Sequence, residues 1–217
     1  MRSAQIQVVV HIVDDDKQFQ NAIGRLLRAG GYNVCGYDNA EDFLLADIDT
    51  VPGCILLDVC MPGPSGLELQ EALAKRKPCL PIIFLSGRGD IPTSVKAIKA
   101  GAIDFLIKPV KREVLFGAIE NALARYERGR IVCERITAWL KRYHALTTRE
   151  LEVFSAVVEG KRNKEIAGNL GMAERTVKAH RSHVMEKMGV SSVAELVHIA
   201  DQLNDAGVVE SAVLSEV

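Results

Sequence analysis

Asp14 and Asp15, Asp58, Ser86 and Lys108 each stand directly beyond a short apolar run of this 217-residue sequence. Three carboxylates brought to one spot repel each other and need a hard cation; Mg²⁺, held by a few oxygens and several waters, suits them. An ammonium opposite them supplies the point charge that holds a phosphoryl oxygen, and a hydroxyl donates to another. A carboxylate nucleophile with these neighbours is a constellation for making an acyl phosphate. Taken singly, each residue has a plainer reading. Lys108 is then a surface lysine, Ser86 a turn former, and Asp14 or Asp58 a helix cap. Their joint place at successive strand ends favours the chemical reading.

That placement depends on a repeating β/α pattern. The run 54–57, Cys-Ile-Leu-Leu, stops at Asp58 before a Met-Pro-Gly-Pro-Ser-Gly turn, and reads as a strand buried on both faces. Residues 8–13 form a β-rich run before Asp14, Asp15 and Asp16, after which Phe19, Ile23, Leu26 and Leu27 recur at helical spacing until Gly30. Asp16 reads as a solvent-facing or capping residue. Further strands are expected at 33–37, 81–85 and 103–107. Helices are expected from Asn39 to about Asp47, 66–76, 92–100 and around Leu115–Ala122. Five such units make a doubly wound, five-stranded parallel sheet, with the flavodoxin-like strand order as the natural arrangement. Parallel strands bring their carboxyl ends to one edge, and ligands bind beyond that edge.

The apolar and charged fractions, 48% and 25%, are those of an ordinary globular protein. No apolar run is long enough to cross a bilayer, the first residues do not begin a signal peptide, and no membrane partner is expected. The five cysteines show no CxxC spacing, so reduced thiols in the cytoplasm are expected. The net charge of −1 is unevenly spread. Residues 1–124 carry 13 basic and 15 acidic side chains, while 125–145 carry 6 and 2. An acidic front and a basic middle argue for two modules with different partners.

Between the modules, Val132, Ile136, Trp139, Leu140 and Tyr143 form a helical stripe, which either continues the preceding helix or starts a linker helix; Gly129 is a point of interruption. Beyond it, Thr147 and Glu150 form a capping box, as do Ser192 and Glu195. Helices bounded by Gly160, Gly171 and Gly189 complete a four-helix unit with a helix-turn-helix inside it. On the helix after Gly171, Arg175, Lys178, Ala179 and Ser182 fall on one face. Val177, Val184 and Met188 face inward, and Arg181 and Lys187 are placed to reach phosphates. Long basic groups beside small residues suit a major groove. The same face on a plain four-helix unit would simply be solvated.

Residues 6–124 resemble a response-regulator receiver domain, through Val-Asp-Asp-Asp at 13–16, Leu-Asp-Val-Cys-Met-Pro at 57–62 and Phe-Leu-Ile-Lys-Pro at 105–109. The resemblance implies that Asp58 is the phosphoacceptor and that Asp14 and Asp15 bind Mg²⁺ or Mn²⁺ with the Cys60 backbone carbonyl. It further implies that Ser86 and Phe105 are the switch pair, that Lys108 holds the phosphoryl group and that the Lys108–Pro109 bond is cis. Residues 146–207 resemble the LuxR-type helix-turn-helix, through 146–150, 163–167 and 176–180, which puts Arg175, Thr176, Lys178, Ala179, Arg181, Ser182 and Lys187 toward DNA. With 125–145 as a helical linker, the whole resembles the NarL/FixJ family. A sensor histidine kinase, double-stranded promoter DNA and a phosphorylated homodimer are the implied partners. Two departures stand out. Cys60 replaces a longer polar side chain, and Ala173 replaces a capping Ser, at a cost of about 1 kcal/mol.

Two rival readings remain. A Mg²⁺-dependent aspartyl-phosphate phosphatase would need a second acid two residues after its nucleophile, where this chain has Cys60; self-dephosphorylation would be slow at most. An adaptor that works without phosphorylation would have no use for the full acidic and basic set.

Overall fold

The computed structural model describes residues 8–46, 51–75, 80–87 and 89–207. The expected helix ends at Asp47 and Arg76 lie outside these residues, as does Cys79. The chain divides into two compact units, 1–130 and 131–217.

In the first unit, strands and helices alternate: β1 Val9–Val13, α1 Lys17–Ala29, β2 Asn33–Tyr37, α2 Ala40–Leu45, β3 Gly53–Asp58, α3 Gly66–Leu73, β4 Ile82–Ser86, α4 Ile91–Lys99, β5 Asp104–Ile107 and α5 from Arg112. The sheet is parallel, in the order β2-β1-β3-β4-β5. This is the doubly wound, flavodoxin-like arrangement that the pattern implies. Every residue of β3 and β4 is buried, whereas β2 is largely exposed at an edge. The central strands therefore read as continuous apolar runs. One sheet face packs Val13, Ile55, Leu57 and Phe84 against Phe43, Leu69, Leu73 and Ala97. The other packs Ile12, Leu56, Ile83 and Leu85 against Ile23, Leu27, Leu115 and Ile119. Each such side chain stabilises the fold by about 1.5–3 kcal/mol.

Local signals set the helix starts. Asp16 is the N-cap of α1, its carboxylate accepting from the Gln18 and Phe19 N–H groups at 2.9 and 3.0 Å. Ser65 and Glu68 form a reciprocal capping box at α3. Gly66 lets α3 begin hard against the strand that precedes it. A Cβ there would come within 2.1 Å of the Asp58 carbonyl oxygen.

Helix α5 is a single helix, Arg112–His144. Gly129 does not interrupt it, because one glycine costs only about 1 kcal/mol against alanine in a helix this long. The second unit takes the last part of α5 with α6 Thr148–Val158, α7 Asn163–Leu170, α8 Glu174–Met188 and α9 Val193–Asp205. Its core holds Tyr143, Phe154, Val157, Ile166, Val177, Val184, Met188 and Leu196, with Ile136, Trp139 and Leu140 packed on it. Trp139 packs edge-on against His198. Val132, the first residue of the expected stripe, is instead 46% exposed.

Thr147 and Glu150 form the expected capping box. At α9 only half of one exists. Ser192 Oγ accepts from the Glu195 N–H, while the Glu195 carboxylate turns to the Ser191 N–H and hydroxyl, 2.9 and 3.0 Å away. Ala173 starts α8 without a side-chain cap.

Candidate functional site

The register of the sheet decides which strand ends become neighbours. Val13 pairs with Leu57 across β1 and β3, so Asp14 and Asp58 leave their strands side by side. Asp58 pairs with Leu85 and Ser86 with Ile107, which brings the residues before Ser86 and Lys108 to the same carboxyl edge. Lys108 Nζ reaches back to Asp14 Oδ2 at 2.5 Å and Asp58 Oδ1 at 2.7 Å. Both carboxylates are buried, and the lysine side chain is 18% exposed. The Lys108–Pro109 peptide is cis. Asp58 Oδ2 accepts from the Cys60 N–H at 2.7 Å, which fixes the carboxylate with its other oxygen on Lys108.

The charge balance is unequal. One ammonium between two dehydrated carboxylates leaves a surplus negative charge, which a low-dielectric setting makes expensive. Burial raises the Asp14 pKa above the ordinary carboxylate value, against the opposing pull of Lys108 and the Asp16 N–H. Burial works against the charge on Lys108, but its bonds to Asp14 and Asp58 outweigh it and raise its pKa. Such a site favours an additional cation. Asp15, however, is exposed rather than turned in with the pair. Among the described residues no three His, Cys, Asp or Glu side chains come close enough to hold a metal. The donor set is thus two carboxylates and nearby main-chain oxygen, which fits a small hard cation that keeps much of its water. The expected three-way convergence of carboxylates is reduced to two because a residue and its neighbour leave a strand in different directions.

Ser86 is buried at the end of β4. Phe105 is half-buried and lies 6.1 Å from Phe84, ring centre to ring centre. Two contributors went unrecognised in the sequence. The Phe19 ring lies under Lys108 Nζ, 4.2 Å from ring centre to nitrogen, in a cation–π contact. The Gln20 amide donates to the carbonyls of Asp14 and Tyr37 at 2.5 and 2.7 Å, tying the loop that carries Asp14 to the end of β2. Phe19 was legible only as part of a helical stripe, and the partner above it lies 89 positions away.

In the second unit, Arg175, Thr176, Lys178, Ala179 and Ser182 are all exposed on α8, while Val177, Val184 and Met188 are fully buried. Two residues expected to reach phosphates already have protein partners. Arg181 Nη1 donates to Asn163 Oδ1 at 3.0 Å. Lys187 Nζ donates to Glu150 Oε2 at 2.6 Å. With the Lys187 ammonium beside it and the Thr147 N–H bonded to it, Glu150 has its pKa lowered to about 2. Lys187 is thus held by a buried carboxylate although the residue itself is exposed.

Residues 10–120 match the response regulator receiver domain, and residues 144–200 match the LuxR family of bacterial regulatory proteins. The chain belongs to the NarL/FixJ family, the response regulators that join a receiver to a LuxR-type DNA-binding domain. It is 43% identical to the response regulator protein TmoT of Ectopseudomonas mendocina over 91% of this chain and 90% of that one. It is 40% identical to the transcriptional regulatory protein FixJ of Azorhizobium caulinodans, over 88% and 90%. Among solved structures, the response regulator StyR aligns with a TM-score of 0.77 at 41% identity, over 90% of this chain and 99% of that one.

Proposed function

We propose that this response regulator accepts a phosphoryl group on Asp58 from a partner sensor histidine kinase, and that the phosphorylated form binds paired DNA half-sites as a homodimer. The observation that carries the reading is the single ammonium bridging Asp14 and Asp58. In the transfer, an Asp58 carboxylate oxygen attacks phosphorus and the phosphorus–nitrogen bond of a phosphohistidine breaks. The imidazole leaves with the electron pair, and an acyl phosphate remains. Lys108 exchanges one carboxylate partner for a phosphoryl oxygen. Ser86 donates its hydroxyl to another, and Phe105 moves inward behind it, a two-state change driven by local charge. Asp14, Asp58 and the Cys60 carbonyl would hold Mg²⁺ or Mn²⁺, which when bound would offset the charge of the phosphoryl oxygens.

The receiver spans 6–124, a helical linker 125–145, and the DNA-binding module 146–207. Arg175, Thr176, Lys178, Ala179 and Ser182 form the groove-reading face. Pairing two receivers raises the effective concentration of two weak DNA modules, so the phosphoryl group acts at a distance through dimerisation. The chain turns over no substrate beyond slow loss of its own phosphoryl group. A DNA target and a kinase donor imply work in the cytoplasm. Incubation with acetyl phosphate tests the scheme. Wild type gains one phosphoryl group and a raised affinity for DNA, and Asp58→Asn shows neither. Undiminished labelling of Asp58→Asn would refute the assignment.

A further inference from the structure

Lys187 and Glu150 join the two ends of the DNA-binding unit's central pair of helices. Glu150 sits in the first turn of α6 and is 4% exposed. Its Oε2 accepts from the Thr147 N–H at 2.7 Å, the Thr147 hydroxyl at 2.9 Å and Lys187 Nζ at 2.6 Å. The same ammonium lies 3.4 Å from the Ala145 carbonyl, just before α6. Lys187 is the penultimate residue of α8. A second tether holds the same end: Arg142 Nη1 donates to the Met188 carbonyl at 3.0 Å. Gly189, left-handed at φ 68°, gives that guanidinium room; a Cβ there would meet Nη1 at 2.6 Å. The opposite end of α8 has no side-chain cap at Ala173. The helix that presents Arg175, Lys178 and Ser182 is therefore pinned by two polar tethers at its far end, by the Arg181–Asn163 bond midway and by apolar packing along its buried face.

We infer that Glu150 and Lys187 are positioning residues that set the orientation of α8 for reading base sequence, and that Lys187 makes no phosphate contact. A carboxylate shared between a helix cap and a lysine fixes direction as well as distance, because moving α8 along its axis separates Lys187 from Oε2. An anchor about one and a half to three turns from the reading residues turns a small tilt into a larger displacement at the bases. Sequence readout is sensitive to that displacement, whereas attraction to the phosphate backbone is not. The inference rests on α8 being the reading helix, and a Lys178→Ala control tests that separately.

The experiment uses the full chain with two duplex probes: one enriched on the wild-type protein from a random-sequence pool, and poly(dI-dC). Affinity is measured across a salt series for Lys187→Met, Glu150→Gln, the double variant and Lys187→Arg. Each single variant is expected to weaken binding to the enriched duplex about fivefold or more. Poly(dI-dC) affinity and the salt slope stay unchanged, the double variant is no worse than the singles, and Lys187→Arg restores most of the loss. A direct phosphate contact gives a different pattern. Lys187→Met then weakens both probes alike, its salt slope falls by about 0.9, and Glu150→Gln binds as well as wild type or better. That pattern overturns the inference, as does a change in melting temperature with no change in the ratio of the two affinities. Should Glu150→Gln fail to fold, Lys187→Met against Lys187→Arg decides the matter. Wild-type binding by Lys178→Ala would instead remove α8 from the groove.

Discussion

Acid should destabilise the receiver through one histidine. His11 lies in the middle of β1, 5% exposed, stacked on Tyr37 and edge-on to Phe43. Nδ1 is 3.1 Å from the Tyr37 hydroxyl, while Nε2 has no partner. A second ring proton would place a charge among aromatic rings, so burial lowers the pKa from 6.5 to about 4. The unfolded chain binds that proton near pH 6.5 and the folded chain does not. Stability is therefore full above pH 6.5, declines as pH falls, and levels off below about pH 4. Integrated over that window, the loss relative to pH 7 is about 2 kcal/mol at pH 5 and about 3 kcal/mol at pH 4. Those are large fractions of a domain's stability.

His11→Phe keeps the ring and removes the titration. Urea unfolding at pH 7, 6 and 5, followed by far-UV circular dichroism, measures both proteins. Trp139, the only tryptophan, packs in the second unit's core, so its fluorescence identifies that unit's transition separately. Between pH 7 and 5 the wild-type receiver should lose about 2 kcal/mol more than His11→Phe. Losing the Tyr37 partner offsets the variant equally at every pH. Parallel pH dependences for the two proteins would refute the reasoning.

Two further outcomes follow from close contacts and from the groove face. Gly66→Ala should destabilise the receiver by about 1–3 kcal/mol or more, because the added carbon meets the Asp58 carbonyl, and should also slow acetyl-phosphate labelling; an unchanged urea midpoint would contradict the packing. Lys178→Ala should weaken the enriched duplex by about 1–3 kcal/mol with relaxed sequence preference, measured by fluorescence anisotropy.

Whatever depends on neighbours a few positions apart could be read from the order of residues. The alternation of apolar runs with helical stripes implied the five-stranded sheet, Thr147 with Glu150 announced the start of α6, and Val177, Val184 and Met188 declared an inner face. Even the union of Asp14, Asp58 and Lys108 was legible, because parallel strands must end on a common edge. Folding decided the rest. Nothing near position 187 indicates that its ammonium turns toward Glu150, 37 residues earlier, or that Arg181 is bound to Asn163. Asp15 and Asp14 look equivalent in the chain, yet the strand exit buries one and exposes the other. Phe19 serves the acidic site only because Lys108 reaches over its ring, and Gln20 only because the end of β2 lies beside that of β1. Hydrophobic period and capping act within a turn or two of chain, whereas a long side chain chooses its partner by geometry that exists only once the helices have packed.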